Sequence, residues 1–418
     1  MNMRKVWLGA MTGAALAAAV PASANDVRIE GQVRIRYEGD DRDFLPSTGM
    51  SHSVAQRTRI SADVRNDDGA RIFIQLQDSR IWGDEGGTLS DSENVDLHQA
   101  FVRLRAPGVD RLEWILGRQE LGYGNGRVVS PAGWNHVGRS FDAARLRYRF
   151  GGEHWVDVTF AKVSQEADSS QGAPGRPDVN ATLAVAHLDL AGRRLHIEPL
   201  VIYKEDTSIN QYLTSFGEHA AFQAGRFEVT HNLVVQTGKV AGHDASAHLV
   251  DAAFDVDVSQ GRDGAIVLGA GFSRQSGDDR DDPDDSAYDN LFWTAHAFHG
   301  SMDLVQRIVD AAQGGIGLRD TFFRARLRIP GDVRVRAAVH LFGADQDEVP
   351  GDDGGPRLYD VGTELDLEIG KELGGLDLEI GGGRFSPGNV DTSGGVATSL
   401  SGLDETAFRI YAQGTAAF

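Results

Sequence analysis

Apolar and polar residues alternate along most of this chain with a period of two. In the segment from residue 27 to 38, Val27, Ile29, Val33 and Ile35 share one face, and charged residues occupy the other. Successive side chains of a β-strand point to opposite faces, so this pattern predicts a strand with one apolar and one polar face. The pattern recurs at residues 57–65, 71–77, 144–150, 333–341 and 360–369. The sequence therefore predicts an all-β fold.

The connections between these segments alternate between short and long. Short turns are expected at residues 66–69, 107–110, 151–153, 191–192, 330–332 and 374–375, and long polar loops at 39–53, 81–94, 122–140, 165–180, 276–318, 344–357 and 387–404. Tight turns at one end and long loops at the other are typical of a transmembrane antiparallel up-and-down β-barrel, with periplasmic turns and extracellular loops. The segments predict about 18 strands, an even number. Residues 181–190, 212–222 and 225–238 are poorly patterned.

The last strand repeats the alternation up to a terminal aromatic residue. One face carries Phe408, Ile410 and Phe418, and the other carries Arg409 and Tyr411. We expect the apolar face to contact lipid and the polar face to point inward. A terminal aromatic here resembles the signal that outer-membrane proteins present to the barrel-insertion machinery. The alternative, a secreted β-sandwich, gives no reason for loop lengths that differ between the two ends.

The first 24 residues have a different character from the rest. A basic start, a short apolar stretch and small residues before a cleavage site predict a secretory signal peptide at 1–24, with a retained anchor as the alternative. The rest of the sequence has no run of about 20 apolar residues, so no transmembrane helix is expected. Residues 25–418 would then form one barrel. The chain has no cysteine, which excludes disulfides and thiolate sites.

The charge is acidic overall, yet the predicted strands are rich in arginine. A formal net charge of -20 argues against nucleic acid as a partner. If the apolar face meets lipid, the arginines line the lumen, attract anions and bind carboxylates bidentately. Alternatively, acids on facing strands neutralise these arginines, and we expect this for about half of the arginines. Candidate acids are Glu364, Asp366, Glu368, Asp377 and Glu379. The inward set comprises Arg34, Arg36, Arg57, Arg59, Arg103, Arg105, Arg145, Arg147, Arg149, Arg324, Arg326, Arg328, Arg334 and Arg336.

Two blocks of sequence carry a family resemblance. The first is VDLHQAFVRL followed by LGRQELGYGNGRVVSPAGWNHVGRSFDAARLRY, and the second is HAFHGSMD after Ser276–Asp279. These blocks resemble the alginate-export family of outer-membrane β-barrels. The resemblance implies a monomeric barrel that passes an acidic polyuronate through an arginine-lined pore, without fixing the cargo. It also implies pore-lining roles for Arg118, Arg127, Arg139 and Arg145.

Arg118 presents a local difficulty for that assignment. Strict alternation places it on the same face as Leu112, Trp114 and Leu116. An inward Arg118 therefore requires a β-bulge, which we expect at Gly117.

Several other motifs suggest different chemistry, but each has a simpler interpretation. The segment GYGNG at 122–126 lacks the spacing and the following helix of a phosphate-binding loop, so a pore constriction is expected. The acidic run at 278–285 lacks the glycine and closing glutamate of an EF-hand. We interpret it as a solvated loop that divalent ions bridge to lipopolysaccharide. His296, His299 and Asp303 are interpreted as loop-packing or luminal residues rather than a metal site.

The sequence also lacks a catalytic signature. No GxSxG elbow accompanies a suitable histidine and acid, so an enzyme is not expected. Residues 302–312 have helical spacing and predict one short helix in the longest loop. No cofactor or metal is implied.

The resulting hypothesis is a passive channel in the outer membrane of a Gram-negative bacterium. An arginine-lined lumen would pass an acidic, alginate-like polysaccharide or another organic anion. The alternative is a non-conducting barrel with a structural or adhesive role. Expected partners are the anionic solute, outer-membrane lipid and lipopolysaccharide, and the insertion machinery, with the protein acting as a monomer.

Overall fold

A computed structural model shows a closed barrel of 18 antiparallel strands, and it confirms the predicted fold and strand number. It describes residues 26–41, 49–67, 69–85, 95–151, 153–164, 179–190, 194–259, 265–278, 283–304, 315–346, 360–388 and 406–418. The strands are β1 (Asp26–Asp40), β2 (Ser51–Arg65), β3 (Arg71–Ile81), β4 (Val95–Ala106), β5 (Val109–Gln119), β6 (Phe141–Arg149), β7 (Trp155–Ser164), β8 (Val179–Leu190), β9 (Leu195–Asp206), β10 (Gln211–Ala224), β11 (Phe227–Val240), β12 (His243–Asp257), β13 (Ile266–Gln275), β14 (Leu318–Ile329), β15 (Val333–Gly343), β16 (Asp360–Leu373), β17 (Leu376–Pro387) and β18 (Ala407–Ala417).

Each strand pairs with the next one along the chain, and β1 closes the barrel by pairing with β18. At this seam the amide of Phe418 donates to the carbonyl of Gly31, and the amide of Gly31 donates to the carbonyl of Phe418. A Cβ at Gly31 would lie 2.2 Å from the Phe418 ring. The glycine therefore leaves room for the aromatic side chain to cross the seam. Full closure leaves no unpaired strand edge in the membrane.

The apolar face of each strand points outward. Ile60, Phe160 and Ile380 are more than half exposed, at 55%, 58% and 65%. Their neighbours on the opposite face are buried, as Arg57 and Asp157 are. The same holds for the last strand, where Phe408 and Ile410 point outward and Arg409 and Tyr411 point inward. Lipid therefore meets an apolar surface, as the alternation predicts.

The connections differ in length between the two ends of the barrel, which we call the turn end and the loop end. Short turns join the strands at the turn end, although the β12–β13 connection is longer, at 258–265. At the loop end most connections are long, but 207–210 and 241–242 are tight. No helix among the described residues is long and apolar enough to cross a membrane. The predicted signal peptide and all but the first residues of the predicted 302–312 helix lie outside the described residues.

A hydrophobic core lies inside the barrel, against one part of its wall. It combines inward-facing residues of β7–β12, which we call the dry wall, with residues from two loops. The dry wall includes Ala161, Ala181, Leu183, Leu200, Ile202, Val234, Ala247 and Leu249. Several of the poorly patterned segments of the sequence lie here. Toward the loop end, where the loops cover them, their inner faces are apolar, so both faces of that stretch lack the polar signal that marks a water-filled lumen.

The constricted lumen as candidate functional site

Residues 120–140, the first inner loop, enter the lumen and are held there through backbone carbonyls. Arg34 donates to the carbonyls of Gly133 and Asn135 at 2.8 and 2.9 Å. Arg57 donates to the same two carbonyls at 3.1 and 3.2 Å. Arg34 and Arg57 face each other across β1 and β2. Two like charges are tolerated at this position because the carbonyl dipoles between them accept from both.

Residues 283–304, the second inner loop, pack against the first one. Val129 and Phe292 form a parallel bridge between the loops. Phe292 also meets the Phe141 ring edge to face, with centroids 5.2 Å apart. Tyr288 is buried beside them in the core, and burial raises the pKa of its hydroxyl. The two loops therefore form one apolar unit seated on the dry wall.

A stack of three side chains joins the barrel wall to both loops. The Trp134 ring lies 3.8 Å from the His296 ring and nearly parallel to it, while the Arg36 guanidinium covers its other face at 4.2 Å. Asp303 accepts from Arg409 at 2.9 Å and contacts His296 at 3.2 Å. Burial opposes ionisation of Asp303, but His296 and Arg409 hold its pKa below the ordinary value. Asp303 is therefore ionised at neutral pH and fixes the second loop to β18.

Two arginines that the family resemblance assigns to the pore, Arg127 and Arg139, hold the loops together. Arg127 is 1% exposed and donates to Asp251 at 2.6 Å and to Asn290 at 3.3 Å. Its guanidinium also lies 4.5 Å from the centre of the Trp293 ring. Arg139 donates to the carbonyls of Ser130 and Trp293 at 3.1 and 2.9 Å. These contacts are those of a loop framework rather than of a solute path.

Acids on β16 bind the second inner loop from the opposite side. Glu364 accepts from the amide of Met302 at 2.8 Å, and Asp366 accepts from the amide of Ser301 at 3.2 Å. A Cβ at Gly300 would lie 2.2 Å from Glu364, so only glycine lets the loop approach this closely. The loop is thus suspended between carboxylates of β16 and the apolar dry wall.

The inner faces of β1–β6, which we call the basic wall, carry more arginines than carboxylates. Arg145 and Arg147 both donate to Asp157, at 2.6 and 2.7 Å, so one carboxylate serves two guanidinium groups. Asp63 likewise accepts from Arg65 and Arg71. One positive charge at each cluster is therefore not neutralised by its carboxylate. This excess leaves the basic wall positively charged.

Other arginines of the basic wall each pair with one carboxylate, or hold the first inner loop in place. Arg59 binds Glu120 at 3.3 Å, and His98 contacts the same carboxylate at 2.8 Å. Burial opposes ionisation of Glu120, but His98 and Arg59 hold its pKa below the ordinary value. Arg149 binds Glu113 at 2.7 Å. In the described part of the chain, Arg103 and Arg105 lie within 4 Å of no carboxylate.

The remaining predicted arginines of β14 and β15 also face inward. Arg324 and Arg326 share Asp255, with Arg324 donating at 3.0 Å. Arg336 binds Glu368 at 2.5 Å, and Arg334 binds Asp377. Arg328 forms no ion pair with any carboxylate that the structure describes.

Arg118 lies on the outer face, so its pore-lining prediction is wrong. The β5–β6 register runs without a shift from Leu112 to Gln119, and Arg118 stands opposite Asp142. Its guanidinium lies 3.7 Å from that carboxylate. Gly117 does have the positive φ of 120° that glycine permits, but it produces no bulge. Strict alternation therefore decides the orientation of Arg118.

A cavity of about 790 Å³ remains between the loops and the wall of β12–β18. Charged residues of both signs line it, including Arg324, Arg326 and Arg336 together with Asp366, Glu368 and Glu379. Tyr411 stands among the acids, donating to Glu368 at 3.0 Å or Glu379 at 2.9 Å. The interior is thus narrowed rather than filled, and its open part is polar.

A closed 18-stranded barrel with two inner loops and a polar cavity is the architecture of outer-membrane porins. The family model described as alginate export matches residues 26–399. The chain belongs to the alginate export family. Its localisation in the Gram-negative outer membrane follows, and the description of the family indicates a role in transport.

Solved porin structures share the fold of this alginate export family barrel at low sequence identity. OpdK of Pseudomonas aeruginosa is 11% identical with a TM-score of 0.63, covering 94% of this chain and 99% of that one. A BenF-like porin of Pseudomonas fluorescens Pf-5 is 10% identical with a TM-score of 0.61, at 94% and 99% coverage. OccK2 (OpdF) of Pseudomonas aeruginosa, solved in complex with glucuronate, is 12% identical with a TM-score of 0.59, at 94% and 98% coverage. A search of curated proteins by sequence found no match.

The alginate export family barrel uses several sequence motifs as loop structure. GYGNG lies in the first inner loop, where Gly124 and Gly126 have positive φ values of 55° and 85°. His296 stacks on Trp134, and His299 packs against Trp293 with centroids 5.0 Å apart. Both histidines are therefore loop-packing residues. The acidic run at 278–285 lies partly outside the described residues.

Proposed function

We propose that this protein is a passive, anion-selective channel for acidic saccharides or other organic anions. The observation that carries the proposal is the excess of arginine over carboxylate on the basic wall. A positively charged wall concentrates anions and replaces part of the hydration of a passing carboxylate. The guanidinium groups are also many and partly paired, which keeps each contact weak enough for release.

Two comparisons support an acidic saccharide as the solute. The family is described by alginate export, and alginate is a polyuronate. A barrel of similar fold, OccK2, was solved in complex with glucuronate, which is also a uronate. We further propose that the protein acts as a monomer embedded in lipid and lipopolysaccharide.

The test is the reversal potential of the purified barrel in a planar bilayer under a KCl gradient. Wild type is expected to prefer chloride. Changing Arg103→Gln and Arg105→Gln together should reduce that preference, because both side chains belong to the basic wall and neither is within 4 Å of a described carboxylate. Arg118→Gln is the control, since it removes an arginine charge from the outer face and leaves the basic wall unchanged. A cation-selective wild type, or a double variant with unchanged selectivity, would contradict the proposal.

Block of the current by a series of solutes would then test the cargo. Uronate oligomers should block at lower concentration than neutral oligosaccharides of the same length, because only the uronates carry carboxylates for the arginines to bind. Equal block by both series would refute an acidic saccharide as the solute.

A second candidate is a non-conducting barrel with a structural or adhesive role. The two inner loops favour it, because they fill the interior beside the dry wall. This alternative predicts that the folded protein shows no conductance in planar bilayers.

A further inference from the structure

Two histidines and one glutamate meet on the inner wall at the turn end, and none of the three lines the cavity described above. His187 lies on β8, and His196 and Glu198 lie on β9. The Oε1 atom of Glu198 is 2.7 Å from Nδ1 of His187 and 3.1 Å from Nε2 of His196. One possible ligand atom from each residue lies within 4.8 Å of the other two.

We infer that His187, His196 and Glu198 form a binding site for a divalent transition-metal ion of the zinc type. Imidazole nitrogen and carboxylate oxygen are ligands that zinc uses, and two histidines with one glutamate are a known ligand set for open zinc sites. Three protein ligands leave a fourth position for water or a solute group. This inference does not depend on the proposed anion selectivity.

Surrounding residues hold two of the three ligands in position. The second oxygen of Glu198 accepts from the amide of Gly124, so the carboxylate is oriented by the first inner loop. The Trp155 ring stacks on His187 with centroids 4.9 Å apart and an angle of 10°. Supporting contacts of this kind fix the orientation of metal ligands and raise their affinity. The ligand side chains are therefore more firmly oriented than those of an isolated His–Glu pair.

The site is accessible to an ion, and a metal ion can take the place of the protons that now join its side chains. The side chains of His187 and His196 are 18% and 26% exposed, whereas Glu198 is 8% exposed. In the metal-free cluster, the short contacts require a proton between Glu198 and each imidazole nitrogen. When a metal ion binds, each of these protons moves to the other nitrogen of its imidazole ring or to solvent, and small side-chain rotations bring the ligand atoms to metal distances of about 2.0–2.2 Å.

The experiment uses the full barrel, purified in detergent without a polyhistidine tag. Co²⁺ is titrated while tryptophan fluorescence is recorded, because a bound paramagnetic ion next to His187 quenches the adjacent Trp155. Saturable quenching is expected, and Trp155→Phe should remove most of it. Absence of saturable quenching in wild type would overturn the proposal, as would quenching that Trp155→Phe leaves unchanged.

Zn²⁺ binding by calorimetry then tests the ligands directly. Wild type should bind one ion, and His196→Gln and Glu198→Gln should each weaken binding about tenfold or more. His340→Gln, in an interior His–Asp pair, and His231→Gln, in an outward His–Glu pair, are the matched controls. Both should retain wild-type affinity, and heat-dependent gel migration confirms that each barrel is folded. Equal affinity in wild type and the two ligand variants would overturn the site.

Discussion

The dry wall and the wall of β14–β18 are built from the same antiparallel strands but face different interiors. Leu183 and Ile202 of the dry wall are fully buried under the two inner loops. On β15 and β16, Arg336 and Glu368 instead line the polar cavity. Both walls are apolar outside, where lipid imposes one requirement on every strand. The difference shows that alternation along a barrel strand reports whether its inner side meets water or loop.

The largest expected difference between the two walls is in the free energy of unfolding after a charge is introduced into each. Leu183→Asp puts a carboxylate into the apolar core, where the residues paired with position 183 on β7 and β9 are Thr159 and Ile202. An uncompensated buried charge costs about 3–5 kcal/mol. The matched change Ala338→Asp lies at the cavity and should change the free energy of unfolding by about 0.5 kcal/mol or less. Urea unfolding in lipid vesicles measures both.

Equal destabilisation by Leu183→Asp and Ala338→Asp would contradict the distinction between a dry and a wet wall. The gel migration of each folded barrel should be measured first, because a variant that never folds gives no unfolding curve. Leu183→Ala then serves as a milder substitute, with an expected loss of about 2–5 kcal/mol.

Releasing the first inner loop should have an intermediate effect. The double change Arg34→Met and Arg57→Met removes the donors to Gly133 and Asn135, and hydrogen bonds from charged groups contribute about 1.5–3 kcal/mol each. With the loop less firmly held, single-channel conductance and its fluctuations should both increase. Arg328→Met is the control, because that arginine contacts no part of the loop among the described residues. Unchanged conductance in the double variant would show that these arginines do not anchor the constriction.

The smallest effect should come from His136 in the first inner loop. Burial and the charges of Arg34, Arg36 and Arg57 lower the pKa of His136 below 6.5. The released loop therefore binds more protons than the docked loop, and docking weakens as the pH falls from 6.5 toward the depressed pKa. Current fluctuations should increase over this interval, and His136→Gln should make them independent of pH. Persistence of the same pH dependence in His136→Gln would assign it to another group.

The sequence predicts the outer surface of the barrel well because one physical requirement acts on every strand. Lipid contact selects apolar residues at alternate positions, so the strand number and the faces of Phe408 and Arg409 follow from pattern alone. Arg118 is instructive because the alternation was correct and the role inferred from family resemblance was wrong. A repeated physical constraint was a better guide than a motif match at that residue.

The interior is less predictable because its contacts join residues far apart in the chain. The contacts of Trp134, Tyr411 and Asp157 do not follow from the sequence pattern, yet these residues lie at the centre of the loop stack and the ion-pair clusters. The pairing of His187 and His196 with Glu198 depends on strand register, which the poor pattern of β8 does not reveal. The expectation that acids neutralise many of the arginines was correct. Which acid pairs with which arginine, however, could be known only from the structure.

The anchoring of the first inner loop has a consequence for how such channels diversify. Arg34, Arg36 and Arg57 grip the main chain at Gly133, Trp134 and Asn135, and every amino acid supplies the same carbonyl oxygen. Loop side chains other than Trp134 could therefore change, and the passage could be reshaped for another solute, while the barrel that carries the clamp stays the same.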